Sequence, residues 1–294
     1  MPIDTATAVT TAERRALQQI KTSGGRFAII AADHGDPLVD MLDALGLPSG
    51  PEHQRAFKSD LVETAGRDAS AVLLDPDVSL PDLVDRDAVG RDVGLLVRIE
   101  ADGAEVRNGL RESQLIPDLG GRGARARGAT AAKVMVFLRA DREDLDGHTA
   151  RLVRTALEDC RRADLLCVIE LMTYRLDDES PEEFAARRED LIVDGAVLLQ
   201  ECGSKVLKLE YPGSAAACRR VTDALDVPWA VLSAGVDHEA FCDQLRASMD
   251  GGAEGFIAGR SLWKEAVGLP APERREFLDG VGRRRLEEML EIVG

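Results

Sequence analysis

Eight short apolar runs recur along the chain, separated by charge-rich, amphipathic stretches. They are FAIIAAD (27–33), SAVLLDP (70–76), VGLLVRIE (93–100), AKVMVFLRAD (132–141), LLCVIEL (165–171), KVLKLEYP (205–212), WAVLSAG (229–235) and EGFIAGR (254–260). They are rich in Val, Ile and Leu, nearly continuous rather than alternating, and of the length of strands buried on both faces. Strands of this kind need helical crossovers, and helix-like segments lie between them. Residues 53–66 place Phe57, Leu61 and Val62 on one face and end at Gly66, a candidate C-terminal cap. Residues 148–163 carry Leu152, Val153, Ala156 and Leu157 on one face. Residues 181–200 follow the cap-like pair Ser180-Pro181, 237–250 open on Asp237, and 273–292 close the chain.

Eight strand–helix repeats favour closure into a (β/α)8 barrel over an open sheet, and no G-x-G-x-x-G follows the first strand. The 294 residues suit one barrel domain spanning 1–294, with a lead-in over about 1–24 and closing helices over about 262–294. Gly120–Gly128 (GGRGARARG) reads as a flexible connection or solvated helix end, with a basic anion-contacting loop as the alternative.

A net charge of −16 excludes a nucleic-acid binder that relies on clustered Lys and Arg, but leaves room for a locally basic pocket. The five cysteines form no C-x-x-C pair and read as core residues of a reducing, cytoplasmic compartment. No apolar run is long enough for a membrane span, so no membrane partner is expected. His34, His53, His148 and His238 are scattered without ligand spacing, so neither a metal nor any other cofactor is expected.

Barrel enzymes place their chemistry at the C-terminal ends of the strands. The polar residues there are Asp33-His34, Asp75, Arg98 and Glu100, Lys133 and Arg139, Glu170, Lys208 and Glu210, Ser233 and Arg260. Lys208 stands out, because a mid-strand ammonium in a barrel must be paired or neutralised. It is either an ion-pair partner of Glu210 or another interior acid, or an amine poised to attack a carbonyl. Lys133 is a candidate second cation beside it, or a helix-end lysine. Glu170, on the preceding strand, is a candidate proton-transfer acid, or a salt-bridge partner. Ser233-Ala234-Gly235 and Gly259-Arg260 end the last two strands in turns suited to a phosphate.

Taken together, the blocks from about Gly24 to Pro270 resemble class I aldolases of the tagatose 1,6-bisphosphate aldolase and sulfofructose-phosphate aldolase family. The blocks are FAIIAAD, FKSDLVE with SAVLLDP, AKVMVFLRAD, VIELMTYR, KVLKLEYP, and PWAVLSAGVD with GGAEGFIAGRSLW. The resemblance implies a Schiff-base lysine at Lys208, a second lysine at Lys133 and a proton-transfer acid at Glu170. It also implies that Asp33 lines the site and that Ser233 to Gly235, Gly259 and Arg260 bind the phosphate of a dihydroxyacetone phosphate half. The implied reaction is cleavage or formation of a phosphorylated ketose through a lysine imine, without metal. Lys58 also recurs in the family, with no role that spacing assigns. Asp33-His34-Gly35 departs from the usual Asp-Gln-Arg and is closer to archaeal-type fructose-bisphosphate aldolases, which makes His34 a substrate-binding candidate. Thr173-Tyr174 resembles the tagatose branch, and 85–128 matches poorly. A phosphosugar isomerase or epimerase, or a non-catalytic phosphosugar-binding barrel, are the alternative functions. The expected partners are a sugar phosphate and further copies of the chain.

Overall fold

The computed structural model describes residues 9–294. Eight parallel strands close into a barrel: β1 (Phe27–Ala31), β2 (Ala71–Leu74), β3 (Gly94–Arg98), β6 (Ala131–Phe137), β7 (Leu166–Met172), β8 (Leu207–Leu209), β9 (Trp229–Leu232) and β10 (Gly255–Ala258). β1 pairs with β10 and closes the ring. The remaining two strands, β4 (Glu105–Arg107) and β5 (Leu110–Glu112), form a separate antiparallel hairpin. Its turn is Asn108-Gly109, both at positive φ (+52° and +78°), a geometry that Asn-Gly adopts with little strain.

The strands alternate between two apolar environments. Phe27, Ile29, Ala31, Leu73, Leu96, Ala131, Val168, Val206, Ala230 and Ile257 form one buried cluster, which fills the barrel. Their neighbours in sequence, such as Ile30, Val72, Val97, Val134, Ile169 and Leu209, pack outward under the helices. Because both faces are buried, the runs are continuous rather than alternating in polarity.

The outer layer begins with α1 (Thr11–Gln19), which lies within the expected lead-in, whose residues 1–8 fall outside the described residues. Thr10 and Glu13 form a capping box on this helix. Ala16 and the following Ile20 join the interior cluster, so α1 plugs the end of the barrel where the strands begin. The Lys205 ammonium, just before β8, bonds both carboxylate oxygens of Glu13 at 2.8 and 2.7 Å and anchors the plug.

The crossovers are α2 (Asp36–Ala44), α3 (Pro51–Glu63), α4 (Asp82–Asp85), α5 (Gly120–Ala126), α6 (His148–Arg162), α7 (Pro181–Glu201), α8 (Ala215–Ala224) and α9 (His238–Asp250). The chain closes with α10 (Arg260–Trp263), α11 (Ala271–Phe277), a π turn, and α12 (Arg283–Val293). Ser180 caps α7 in a box with Glu183, and Asp237 caps α9, as their positions predict.

Two expectations fail. Gly66 does not cap α3: the helix ends at Glu63, and Gly66 sits inside the 3-10 turn that follows. The glycine-arginine stretch is not a flexible connection or an anion loop, and only the solvated-helix alternative holds, since Arg122 and Arg125 are exposed. It forms α5, whose Gly121 lies so close to α6 that a Cβ would stand 2.6 Å from the Cα of Cys160. The Gly121 N–H donates to Asp159 at 2.5 Å, and Arg127 donates to the Pro76 carbonyl at 3.1 Å. Glycine is needed there for close packing, and the arginines serve the backbone.

Candidate active site

Within the barrel, the interior face changes character toward the C-terminal ends of the strands. Ala31 is followed on its face by Asp33, Leu96 by Arg98 and Glu100, Ala131 by Lys133, Val168 by Glu170 and Val206 by Lys208. All six polar residues are buried. The period of two that fills the lower barrel with hydrocarbon thus builds a charged layer above it.

The layer is organised by two lysines. Lys133 is the third residue of β6, and its Nζ lies 3.0 Å from Asp33 Oδ2, 2.5 Å from Glu100 Oε1 and 2.8 Å from Glu170 Oε2. Lys208 lies directly across the β7–β8 register from Glu170, and its Nζ is 2.9 Å from the same Glu170 Oε2. One carboxylate oxygen therefore bridges two ammonium groups.

The surroundings of the lysines differ in kind. Burial opposes a charge on Lys133, but Asp33, Glu100 and Glu170 together hold its pKa well above the ordinary lysine value. Burial likewise opposes the charge on Asp33, yet Lys133 and Lys208 hold it below the usual carboxylate range. Glu170 is lowered in the same way by Lys133 and then Lys208. Glu100 goes the other way, since burial and the neighbouring Asp33 outweigh Lys133 and Arg98. Lys133 is thus a fixed cation held by three acids, whereas Lys208 pairs, among the described residues, only with the carboxylate that it shares.

Beside this cluster lie the last two strand ends. Ala234 and Gly235 both take positive φ, +47° and +80°, which turns the backbone sharply after the buried Ser233. The Arg260 guanidinium lies against that turn, 3.2 Å from where a Gly235 Cβ would stand. Arg260 is half-buried and carries no ion pair among the described residues. Burial lowers its pKa, with Glu170 the opposing charge. A partly desolvated guanidinium without a counter-ion, beside a sharply turned backbone, is suited to an anion.

His34 packs edge-on against Trp263 at 5.1 Å, and its Cε1 lies 2.7 Å from where a Gly259 Cβ would stand. Any larger residue at Gly259 would displace it. Burial is the main cause that pushes the His34 pKa down to about 3, with Arg260, Lys208 and Lys133 adding to it and Asp33 opposing. The ring is neutral at pH 7, and its Nδ1 has no hydrogen-bond partner among the described residues.

Other strand-end polar residues are occupied elsewhere. Lys58 of α3 forms a buried pair with Asp75 at 2.5 Å, and Asp75 also accepts from Ser79 and the Val78 N–H, both at 2.6 Å. Glu210 is not the partner of Lys208: it accepts from the Thr173 N–H at 2.8 Å and from Arg188 at 3.0 Å. Arg139, wholly buried, clasps Asp141, Glu179 and the Tyr174 carbonyl. Glu100 is the residue whose role the sequence does not disclose, although alternation from Leu96 already directs it inward. Arg98, on the same face, is held by Asp102 through its two terminal guanidinium nitrogens.

The DeoC/LacD family aldolase model matches residues 27–265, which spans the barrel from β1 past β10. The chain belongs to the DeoC/LacD aldolase family. As such it is an aldolase, a carbon–carbon lyase, with a (β/α)8 barrel. This aldolase is 27% identical over 316 residues to tagatose 1,6-diphosphate aldolase 2 of Enterococcus faecalis (strain ATCC 700802 / V583), covering 97% of the chain and 94% of the relative. It is 24% identical over 308 residues to tagatose 1,6-diphosphate aldolase of Staphylococcus haemolyticus (strain JCSC1435), covering 94% of each. Among solved structures, a Schiff base forming fructose-1,6-bisphosphate aldolase superposes with a TM-score of 0.62 at 19% identity, over 95% of this chain and 99% of that one. Fructose-bisphosphate aldolase from Plasmodium falciparum gives 0.70 at 16% identity, over 100% and 96%. Among the described residues of this aldolase, no helix is long and apolar enough to cross a membrane.

Proposed function

We propose that this aldolase is of class I and cleaves or forms a phosphorylated ketose through a Schiff base on Lys208, with dihydroxyacetone phosphate and an aldehyde as the fragments. The observation that carries this reading is the asymmetry of the two lysines. An amine attacks a carbonyl only when deprotonated. Lys133, ringed by Asp33, Glu100 and Glu170, is held charged, whereas Lys208 shares one carboxylate with it. Lys208, held by the one carboxylate that it shares with Lys133, is the amine left to meet the ketone.

In the cleavage direction, the Lys208 proton passes to Glu170 or to water, and Nζ adds to the ketone carbon. Loss of water leaves an iminium. Glu170, alone or through a water, accepts the proton of the C4 hydroxyl. The electrons of the C3–C4 bond move toward the iminium nitrogen, and the aldehyde departs. The enamine is then protonated at C3, and water hydrolyses the imine to release dihydroxyacetone phosphate and the free amine. The iminium is the electron sink, so no metal is needed for it. Lys133, itself held by Asp33, fixes Glu170 in place, while Arg260, with the Ser233–Gly235 and Gly259 turns and neutral His34, receives the phosphate.

Tagatose and fructose 1,6-bisphosphates are the substrates that the relatives' names favour. The test is a panel of these two with sulfofructose phosphate, read by coupled reduction of the dihydroxyacetone phosphate formed. We expect cleavage of at least one, lost in Lys208→Ala. Interconversion of ketose phosphates without carbon–carbon cleavage, or full turnover by Lys208→Ala, overturns the proposal.

A further inference from the structure

Away from the charged layer, α9 and α12 meet over three side chains whose ligand atoms all lie within 4.8 Å of one another: His238, Cys242 and Glu288. His238 and Cys242 stand one helical turn apart on α9, so both side chains leave the same face. Glu288 reaches them from α12, the last helix. One imidazole nitrogen faces both partners: His238 Nε2 is 2.9 Å from Glu288 Oε2 and 3.4 Å from Cys242 Sγ.

From these contacts we infer a binding site for a tetrahedral divalent transition-metal ion, of the zinc type, with Nε2, Sγ and Oε2 as protein ligands. Tetrahedral zinc with ordinary bond lengths separates a nitrogen from a sulfur ligand by about 3.5 Å, and a nitrogen from an oxygen by about 3.3 Å. These two edges need only a few tenths of an ångström of adjustment, and the sulfur and the carboxylate lie within 4.8 Å of each other. The donor set, thiolate, imidazole and carboxylate, selects zinc-like ions over magnesium or calcium, which prefer oxygen alone. Cys242 is buried, His238 is partly buried and Glu288 is about half-exposed, so the fourth position opens to water. Arg246 stands 3.5 Å from the other Glu288 oxygen, Oε1, where it orients the carboxylate to bind through Oε2 alone. Binding releases the Cys242 thiol proton to solvent. The ion would clamp the C-terminal helix α12 to the crossover between β9 and β10. The sequence conceals this site because it pairs one histidine with a cysteine and a distant acid rather than with another histidine.

The test uses full-length, reduced, chelator-stripped protein titrated with Co(II), followed by displacement with Zn(II). We expect about one Co(II) bound per chain, with a near-ultraviolet thiolate-to-cobalt charge-transfer band that Zn(II) abolishes. Cys242→Ser should lose the band, and the surface variant Glu288→Gln, which leaves the core intact, should bind at least about tenfold more weakly. Zn(II) should raise the melting temperature of wild type and not of Cys242→Ser. Absence of the band in wild type, or a band that survives Cys242→Ser, overturns the site; so does undiminished affinity in Glu288→Gln.

Discussion

Glu170 and Lys208 face each other across the β7–β8 register, carboxylate to ammonium at 2.9 Å, while the same carboxylate oxygen lies 2.8 Å from Lys133. A backbone ladder thus fixes the proposed nucleophile and its proposed proton acceptor on neighbouring rigid strands. Replacing Glu170 with Gln keeps the shape and removes the base. We predict a fall in kcat of about 10²- to 10⁴-fold, the usual worth of a positioned general acid–base. Steady-state kinetics check this, and imine formation on Lys208 should persist in the variant. Unchanged kcat would remove Glu170 from the chemistry.

Lys133 is predicted to matter first for stability. Lys133→Met strands Asp33 and Glu100 and leaves Glu170 with Lys208 alone, and breaking a buried pair by removing one partner costs about 3–5 kcal/mol. Adding Glu100→Gln removes one stranded charge and should recover part of the loss. Denaturant melts of the single and double variants decide the matter. A single variant as stable as wild type contradicts the central place given to this ammonium.

His34 sets a pH dependence with a definite sign. Its pKa falls from the ordinary value of 6.5 in the unfolded chain to about 3 in the folded protein. Between those values the unfolded chain takes up a proton that the folded chain refuses. Its contribution therefore lowers stability as pH drops from about 6.5 to about 3, and leaves stability level above that window. Asp33 and Glu170, held low by Lys133 and Lys208, add a further loss below the usual carboxylate range. His34→Gln should flatten the profile between about pH 6 and pH 4, measured by urea melts across pH. Identical wild-type and variant slopes there would show that the ring is charged or exposed.

Arg260 is predicted to act on phosphate affinity. Arg260→Ala should raise KM for a phosphorylated ketose by about 10- to 100-fold, from loss of charged hydrogen bonds worth about 1.5–3 kcal/mol, with a smaller change in kcat. Competitive inhibition by inorganic phosphate should weaken in parallel. Inhibition that survives in the variant places the anion elsewhere.

Much of this architecture is legible in the chain because each apolar run is buried on both faces, which leaves a pattern that only a parallel, helix-covered sheet satisfies. Lys208 is legible because an ammonium in the middle of such a run is anomalous, and Glu170 because it ends the same kind of run one strand earlier. The partners of Lys208 are less legible. Glu210, two residues on, shares the strand parity but follows the last ladder residue of β8, where it pairs with Arg188 and Thr173. Glu170 and Lys133 reach the lysine only through inter-strand register, which a single sequence does not encode in any spacing. Lys58 is opaque for the same reason: its partner Asp75 lies on another element. The hairpin was open to reading, since Asn108-Gly109 is a strong turn signal, but its strands are only three residues each.

Lys208 is proposed as the amine that carries the substrate. Incubation with tagatose or fructose 1,6-bisphosphate, or with dihydroxyacetone phosphate, followed by borohydride reduction and peptide mass spectrometry, tests it directly. We predict a stable secondary-amine adduct on Lys208, absent without substrate and absent from Lys133. An adduct on Lys133, or an active enzyme that yields no adduct at all, contradicts it.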